Sequence, residues 1–160
     1  MSTFTSSTTA RAVVPVERDQ VWDVLIDPDL VARFTPFIKR IEPVGDDHWV
    51  WHMSGLSVLG KGFAATFTER MTLKEGERIE FDHDPPPGAK ERAGVHGWYN
   101  LTDHEDAGQP AVMLEISLEI CIDLPLPRVS GPAVRSTMRG VIATMGDRFS
   151  KNLLAHLGVR

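Results

Sequence analysis

The sequence predicts an α+β fold, a seven-stranded antiparallel sheet carrying one long helix at its C-terminal end and two short helices after the first strand. Three observations predict it. Strand-like runs separated by turn signals fill residues 38–124. The last run alternates without a break, with Val112, Leu114, Ile116, Leu118, Ile120, Ile122 and Leu124 on one side and Met113, Glu115, Ser117, Glu119, Cys121 and Asp123 on the other. A sheet with one dry and one wet face is antiparallel and covered on one side only. Beyond it, a helical period runs from Ser130 to Leu157.

The elements follow in order. Thr3 to Val14 is a β-branched run and reads as the first strand. From Glu17 to Ile26 the period changes, and Val21, Trp22, Leu25 and Ile26 form one helical face against Arg18, Asp19 and Asp23. Asp27 and Pro28 stop that helix and start a second, as N-cap and first helical residue. Leu30, Val31 and Phe34 are its buried side, and Thr35-Pro36 ends it.

Ile38 to Val44 and His48 to Ser54 flank a Gly45-Asp46-Asp47 turn, which signals a hairpin. Phe63 to Leu73 reads as one further strand, and Arg78 to Asp84 follows a Glu75-Gly76 turn. The prolines at 85–87 require a loop, since proline cannot donate to a sheet ladder. Two strands remain, Ala93 to Thr102 and Ala111 to Leu124, across a polar turn at Asp103 to Pro110. In the closing helix the stripe is Val134, Met138, Val141, Ile142, Met145, Phe149, Leu153 and Leu157, with Gly158 placed to terminate it. Its length is roughly 40 Å at 1.5 Å per residue. Arg135 and Arg139 lie on its outer, solvated side.

Residues 1–160 form one domain, with no repeat or linker. A composition of 42% hydrophobic and 24% charged residues is that of a soluble globular chain. The net charge of -5 tilts against nucleic acid or an anionic membrane as main partner, while leaving room for a local basic patch. One cysteine, Cys121, forms no internal disulfide and suggests a reducing compartment. With no signal peptide or integral membrane segment visible, a cytoplasmic location is expected. Phosphate loops, nucleophile elbows and dinucleotide fingerprints are missing. His48 and His52, four strand residues or ~13 Å apart, cannot share a metal, so neither metal nor cofactor is expected.

The stretch VPVERDQVWDVLIDPDLVARFTPFI resembles the opening of the START-like superfamily, the helix-grip or SRPBCC group. LPLPRVSGPAVRSTMRGVIATMGDRFSKNLLAHLGV is similar to the closing helix of its bacterial polyketide cyclase/dehydrase and lipid-transport-like members. The resemblance covers nearly the whole chain. It implies a curved sheet gripping the long helix around an apolar cavity, and a hydrophobic or amphipathic ligand such as a lipid, quinone or polyketide. It equally admits a cyclase, aromatase or dehydratase using the same cavity. An interaction module using only the fold's surface is a third reading.

Within that frame Phe67, Met71, Trp51, Met138, Ile142 and Met145 are the expected apolar lining. Glu69 is the anomaly, a carboxylate on the same side of its strand as Phe63, Ala65, Phe67, Met71 and Leu73. If the strand stays regular, Glu69 faces the ligand; if it bulges near Thr68, Glu69 faces water. His83 follows Ile79 and Phe81 on the inner face, at the strand end before the proline loop. Tyr99 enters the site if Val95, Gly97, Tyr99 and Leu101 point inward, the register the resemblance favours. In the opposite register His96, Trp98 and Asn100 enter instead. The oligomeric state is left open.

Overall fold

The computed structural model describes residues 1–159. Its elements are β1 (Ser2–Val14), α1 (Arg18–Leu25), α2 (Pro28–Phe34), β2 (Ile38–Val44), β3 (His48–Met53), β4 (Leu56–Val58), β5 (Lys61–Phe63), β6 (Thr66–Lys74), β7 (Arg78–His83), β8 (Ala93–Asp106), β9 (Gln109–Leu124) and α3 (Gly131–Leu157). A single 3₁₀ turn, Arg128–Ser130, leads into α3. Seven strands make one antiparallel sheet in the order β1-β9-β8-β7-β6-β3-β2, and β4 and β5 form a separate hairpin. This is the helix-grip fold. No helix among the described residues is long and apolar enough to cross a membrane.

Local chemistry sets the helix ends. Glu17 and Gln20 form a reciprocal capping box on α1. The Asp27 carboxylate accepts from the backbone nitrogens of Asp29 at 3.0 Å and Leu30 at 3.2 Å, opening α2. Gly158, at φ 73°, supplies the left-handed residue that ends α3.

Four details differ from the sequence reading. Ser130 has helical dihedrals and no side-chain cap, because the 3₁₀ turn already winds the backbone before Gly131. The run expected from Phe63 to Leu73 is two strands, since Ala64 and Ala65 leave the ladder between β5 and β6. The β4–β5 hairpin that results is a new element. β8 and β9 also run on to Asp106 and Gln109, since Ala107 (φ 51°) and Gly108 (φ 79°) turn the chain in two residues.

The core gathers at the two ends of the sheet's inner face. At one end Val21, Trp22 and Leu25 of α1 pack on Ile79, Phe81, Leu101 and Val112. At the other, Val134 and Met138 of α3 pack with Phe63, Phe67, Ile122 and Leu124. Val95 touches both clusters from between them. The backbone of α3 runs closest to β1 and α2, and Asn152 Nδ2 donates to the Phe34 carbonyl at 3.1 Å. Both ends of α3 are therefore anchored, Val134 and Met138 in one cluster and Phe149, Leu153 and Leu157 against α1 and α2.

Candidate functional site

The position of Glu69 follows from register. β6 pairs with β3 through Thr66↔His52, Phe67↔Trp51, Thr68↔Val50, Glu69↔Trp49 and Arg70↔His48, one residue to one. No bulge turns Glu69 outward, so it shares the inner face with Phe67, Met71, Trp49 and Trp51. It is 2% exposed. Burial pushes its carboxyl well above the ordinary value of 4.5, and the charge of Asp82 adds to the shift. Among the described residues neither a cation nor a side-chain hydrogen bond acts in the other direction, so Glu69 holds a proton more readily than a surface carboxyl does.

Tyr99 faces the same way. β8 pairs Ile79↔Tyr99 and Phe81↔Gly97 with β7, and Tyr99↔Ile116 and Leu101↔Leu114 with β9. The inward register is thus Val95, Gly97, Tyr99 and Leu101. The Tyr99 ring stands 5.4 Å from that of Phe81. Its phenol is raised above the usual 10.0, first by burial and then by the Glu69 charge, which places the two groups within electrostatic reach. Yet Tyr99 keeps part of its surface accessible to solvent. A group both desolvated and reachable lies in a concavity.

The walls agree. On the sheet, Trp49, Trp51, Val95, Leu114, Ile116, Leu118 and Ile120 are only half-buried although they face inward. On α3, Val134, Met138 and Leu153 are buried, whereas Ile142 and Met145, midway along the helix, are half-exposed. Ile116, Ile142 and Met145 join none of the core clusters among the described residues. These apolar side chains point inward and still meet solvent. Trp51 adds a polar handle. Its indole stacks on Phe67, centroids 5.6 Å apart, and its Nε1–H is buried with no acceptor among the described residues. Sequence reasoning named Trp51 as wall and missed the orphaned donor, a matter of side-chain geometry with no pattern signature.

His83 stands apart from this group. Its backbone pairs with Glu69, but the β7–β8 ladder stops at Phe81↔Gly97, and the released end turns its ring toward the other side. The ring occupies the space that a Cβ on Gly94 would need, 2.5 Å from Nδ1, and lies 6.5 Å from that of His96. Gly94 and His96 belong to the outer face. His83 Nε2 bonds Glu91 at 2.9 Å, while Glu91 accepts from Thr68 N at 2.8 Å and Thr68 Oγ1 at 2.7 Å. Glu91 therefore fills the ladder position that β7 vacates. Nothing in the sequence pattern singled it out.

Two surface depressions lie away from these residues. One, of about 820 Å³, opens along Ala143, Thr144, Asp147, Arg148, Lys151 and Asn152 on the outer side of α3. The other, of about 290 Å³, lies between the start of α1 and the β8–β9 hairpin.

Comparison with known proteins accords with this architecture. The family model described as polyketide cyclase/dehydrase and lipid transport matches residues 5–154, and the chain belongs to that family. A conserved protein from Geobacillus kaustophilus superposes with a TM-score of 0.70 at 14% identity, over 96% of this chain and 95% of its own. A START superfamily protein from Mycobacterium smegmatis gives 0.64 at 13% identity, over 94% and 95%. An aromatase/cyclase from a Streptomyces species gives 0.56 at 17% identity, over 95% and 93%. At these identities the likeness is one of fold. No curated protein matches the chain.

Proposed function

We propose that this family member binds one neutral, hydrophobic or amphipathic small molecule, of lipid, quinone or polyketide type, between the inner face of the sheet and the middle of α3. The observation that carries the reading is Glu69, a buried carboxyl with no cation beside it among the described residues, on a largely apolar wall. In a filled core it would be a cost without a purpose. In a cavity, a protonated Glu69 offers one donor and one acceptor, and Trp51 Nε1 and the Tyr99 hydroxyl offer two more donors. Such a set suits a ligand with a carbonyl or hydroxyl on an apolar frame. Affinity would come mainly from buried apolar area, at about 25 cal/mol per Å², and the polar groups would fix orientation.

Native mass spectrometry of the purified protein, followed by organic extraction, tests this directly. A stoichiometric apolar molecule is expected, and Glu69→Ala should lose it while Arg11→Ala, on an exposed strand position, should keep it. A protein that stays empty when offered panels of lipids, quinones and polyketide mimics would rule the reading out.

A second reading rests on the proximity of Glu69 and Tyr99. Two groups whose burial favours the protonated form can pass a proton to a carbonyl or a leaving hydroxyl, the chemistry of a cyclase, aromatase or dehydratase. Under it, Glu69→Gln would abolish product formation and barely change affinity. Unaltered ligand recovered from the wild-type protein would favour binding alone.

A further inference from the structure

Charge is distributed unevenly along this chain. Residues 54–65, 85–92 and 125–140 carry six cations, Lys61, Lys90, Arg92, Arg128, Arg135 and Arg139, and a single carboxylate, Glu91. The rest of the chain holds eleven Lys and Arg against twenty-one Asp and Glu. The fold brings these three segments to one end. Val58 and Phe63 of the β4–β5 hairpin pack with Leu124, Leu126 and Val134 around the start of α3. Arg92 lies 5.1 Å over the Phe63 ring and donates to the Asp123 carbonyl at 3.2 Å. Glu91 is spent inside the His83–Thr68 cluster, its side chain 9% exposed. Of the carboxylates that adjoin these segments, Asp123 accepts from Thr3 Oγ1 at 2.5 Å and Asp84 is held by His48 Nε2 at 2.8 Å.

The same end displays bare apolar side chains on its turns. Leu59, at the tip of the β4–β5 hairpin, is 46% exposed, and Val129, in the 3₁₀ turn, is 85% exposed. Met1 is exposed as well, and it adjoins them because Ser2 pairs with Leu124. Lys61, two residues from Leu59, Arg128, next to Val129, and Arg135, in the first turns of α3, are exposed too. Separate apolar tips within a cationic ring match a bilayer surface, where the tips enter the acyl boundary and the cations meet anionic headgroups. A folded acidic protein would satisfy the cations and leave the isolated tips without a groove.

We propose that this end of the molecule, the β4–β5 hairpin with the 3₁₀ turn and first turns of α3, docks reversibly on an anionic lipid surface. Docking would hold the start of α3, one wall of the cleft, against the source of an apolar ligand.

Co-sedimentation with vesicles tests it, using phosphatidylcholine alone and phosphatidylcholine with about 30% phosphatidylglycerol, enough to build a negative surface potential. The full chain should partition at least about tenfold more onto the anionic vesicles, and less as salt screens the charges. Combined Lys61→Glu, Arg128→Glu and Arg135→Glu should lower that partition about tenfold or more. Combined Arg11→Glu, Lys39→Glu and Lys74→Glu, an equal change of net charge elsewhere, should leave it within about twofold, since the attraction falls off within a Debye length. Leu59→Asn with Val129→Ser should remove the binding that survives high salt. All these positions are exposed, and circular dichroism would verify folding. Equal partition onto both vesicle types, or anionic binding that survives the first triple substitution, overturns the proposal. Capture of an acidic protein by the patch with no vesicle binding overturns it in favour of a protein partner.

Discussion

Glu69 and Tyr99, thirty residues apart in sequence, face the same apolar space, and the charge of the carboxylate opposes ionisation of the phenol. Linkage makes the Glu69 shift measurable in the unliganded protein. Its folded pKa lies well above 4.5, so the native state holds a proton that the unfolded state releases. The protonated carboxyl's contribution is present in full below the unfolded value and is lost as pH rises through the folded value. Glu69→Gln removes that loss. The melting temperature of the variant relative to wild type should therefore climb as pH rises above the unfolded value of 4.5 toward the raised folded value. A difference independent of pH would mean that Glu69 is ionised in the fold.

Trp51 gives a second test. Its buried Nε1–H lacks an acceptor among the described residues, a state that costs about 1–3 kcal/mol. Trp51→Phe keeps an aromatic ring against Phe67 and deletes the donor, at the expense of some apolar area. The two effects oppose each other, and urea unfolding should show a net change within about 1 kcal/mol. Trp51→Ala also loses the stacking and packing, and should cost about 3–5 kcal/mol. If a ligand acceptor uses the indole, ligand retention in Trp51→Phe should fall several-fold while stability hardly moves.

Regular alternation is what made this fold legible. The run from Val112 to Leu124 pairs with β1 residue for residue, from Val14↔Val112 to Ser2↔Leu124, and the inward set is the one its period indicates. Glu69 was visible as an anomaly because β6 keeps its register past Thr68. The misreadings occur where period carries no information. Leu56–Val58 and Lys61–Phe63 are too short to show one. His83 reads as inward by parity and leaves the group because the ladder beside it ends at Phe81. Glu91 sits in a loop, where side-chain reach and not periodicity decides what it meets. Gly94 and Gly97 obscured the register of Tyr99 for a reason the structure supplies, since each yields its side-chain space to a ring from β7.

That reason leads to a third prediction. A Cβ on Gly97 would meet the Ser117 carbonyl oxygen and lie 2.8 Å from Phe81 Cε2. Backbone oxygen in a central ladder cannot yield as a flexible side chain can. Gly97→Ala should destabilise by about 2–3 kcal/mol, the upper range for overpacking. It should also move the Phe81 and Tyr99 aromatic resonances, because their rings are in contact. By contrast Gly140→Ala, which meets nothing within 4 Å on a helix, should be neutral or stabilising by about 1 kcal/mol.

On the outer face, His48 bridges β3 to the loop that leaves β7. Its Nε2 meets Asp84 at 2.8 Å and its Nδ1 meets Asp47 at 2.7 Å. The hydrogen bond to Asp84 is the main reason that His48 is raised above 6.5, against a smaller opposing desolvation, and the same bond lowers Asp84 below 3.8. The signs combine into one window. The Asp84 contribution is present above its unfolded pKa and is lost as pH falls through the lowered value. The His48 contribution is present below 6.5 and is lost as pH rises through the raised value. The bridge therefore holds best in mildly acidic solution and weakens in alkali as imidazole loses its proton. NMR titration should place His48 above a free histidine, and Asp84→Asn should bring it back toward 6.5. The backbone N–H of Asp84 donates to the Thr68 carbonyl at 3.0 Å in the wild-type protein, and hydrogen exchange at that same position should quicken in the variant. An unshifted His48 titration in the wild-type protein would show that the bridge does not form in solution.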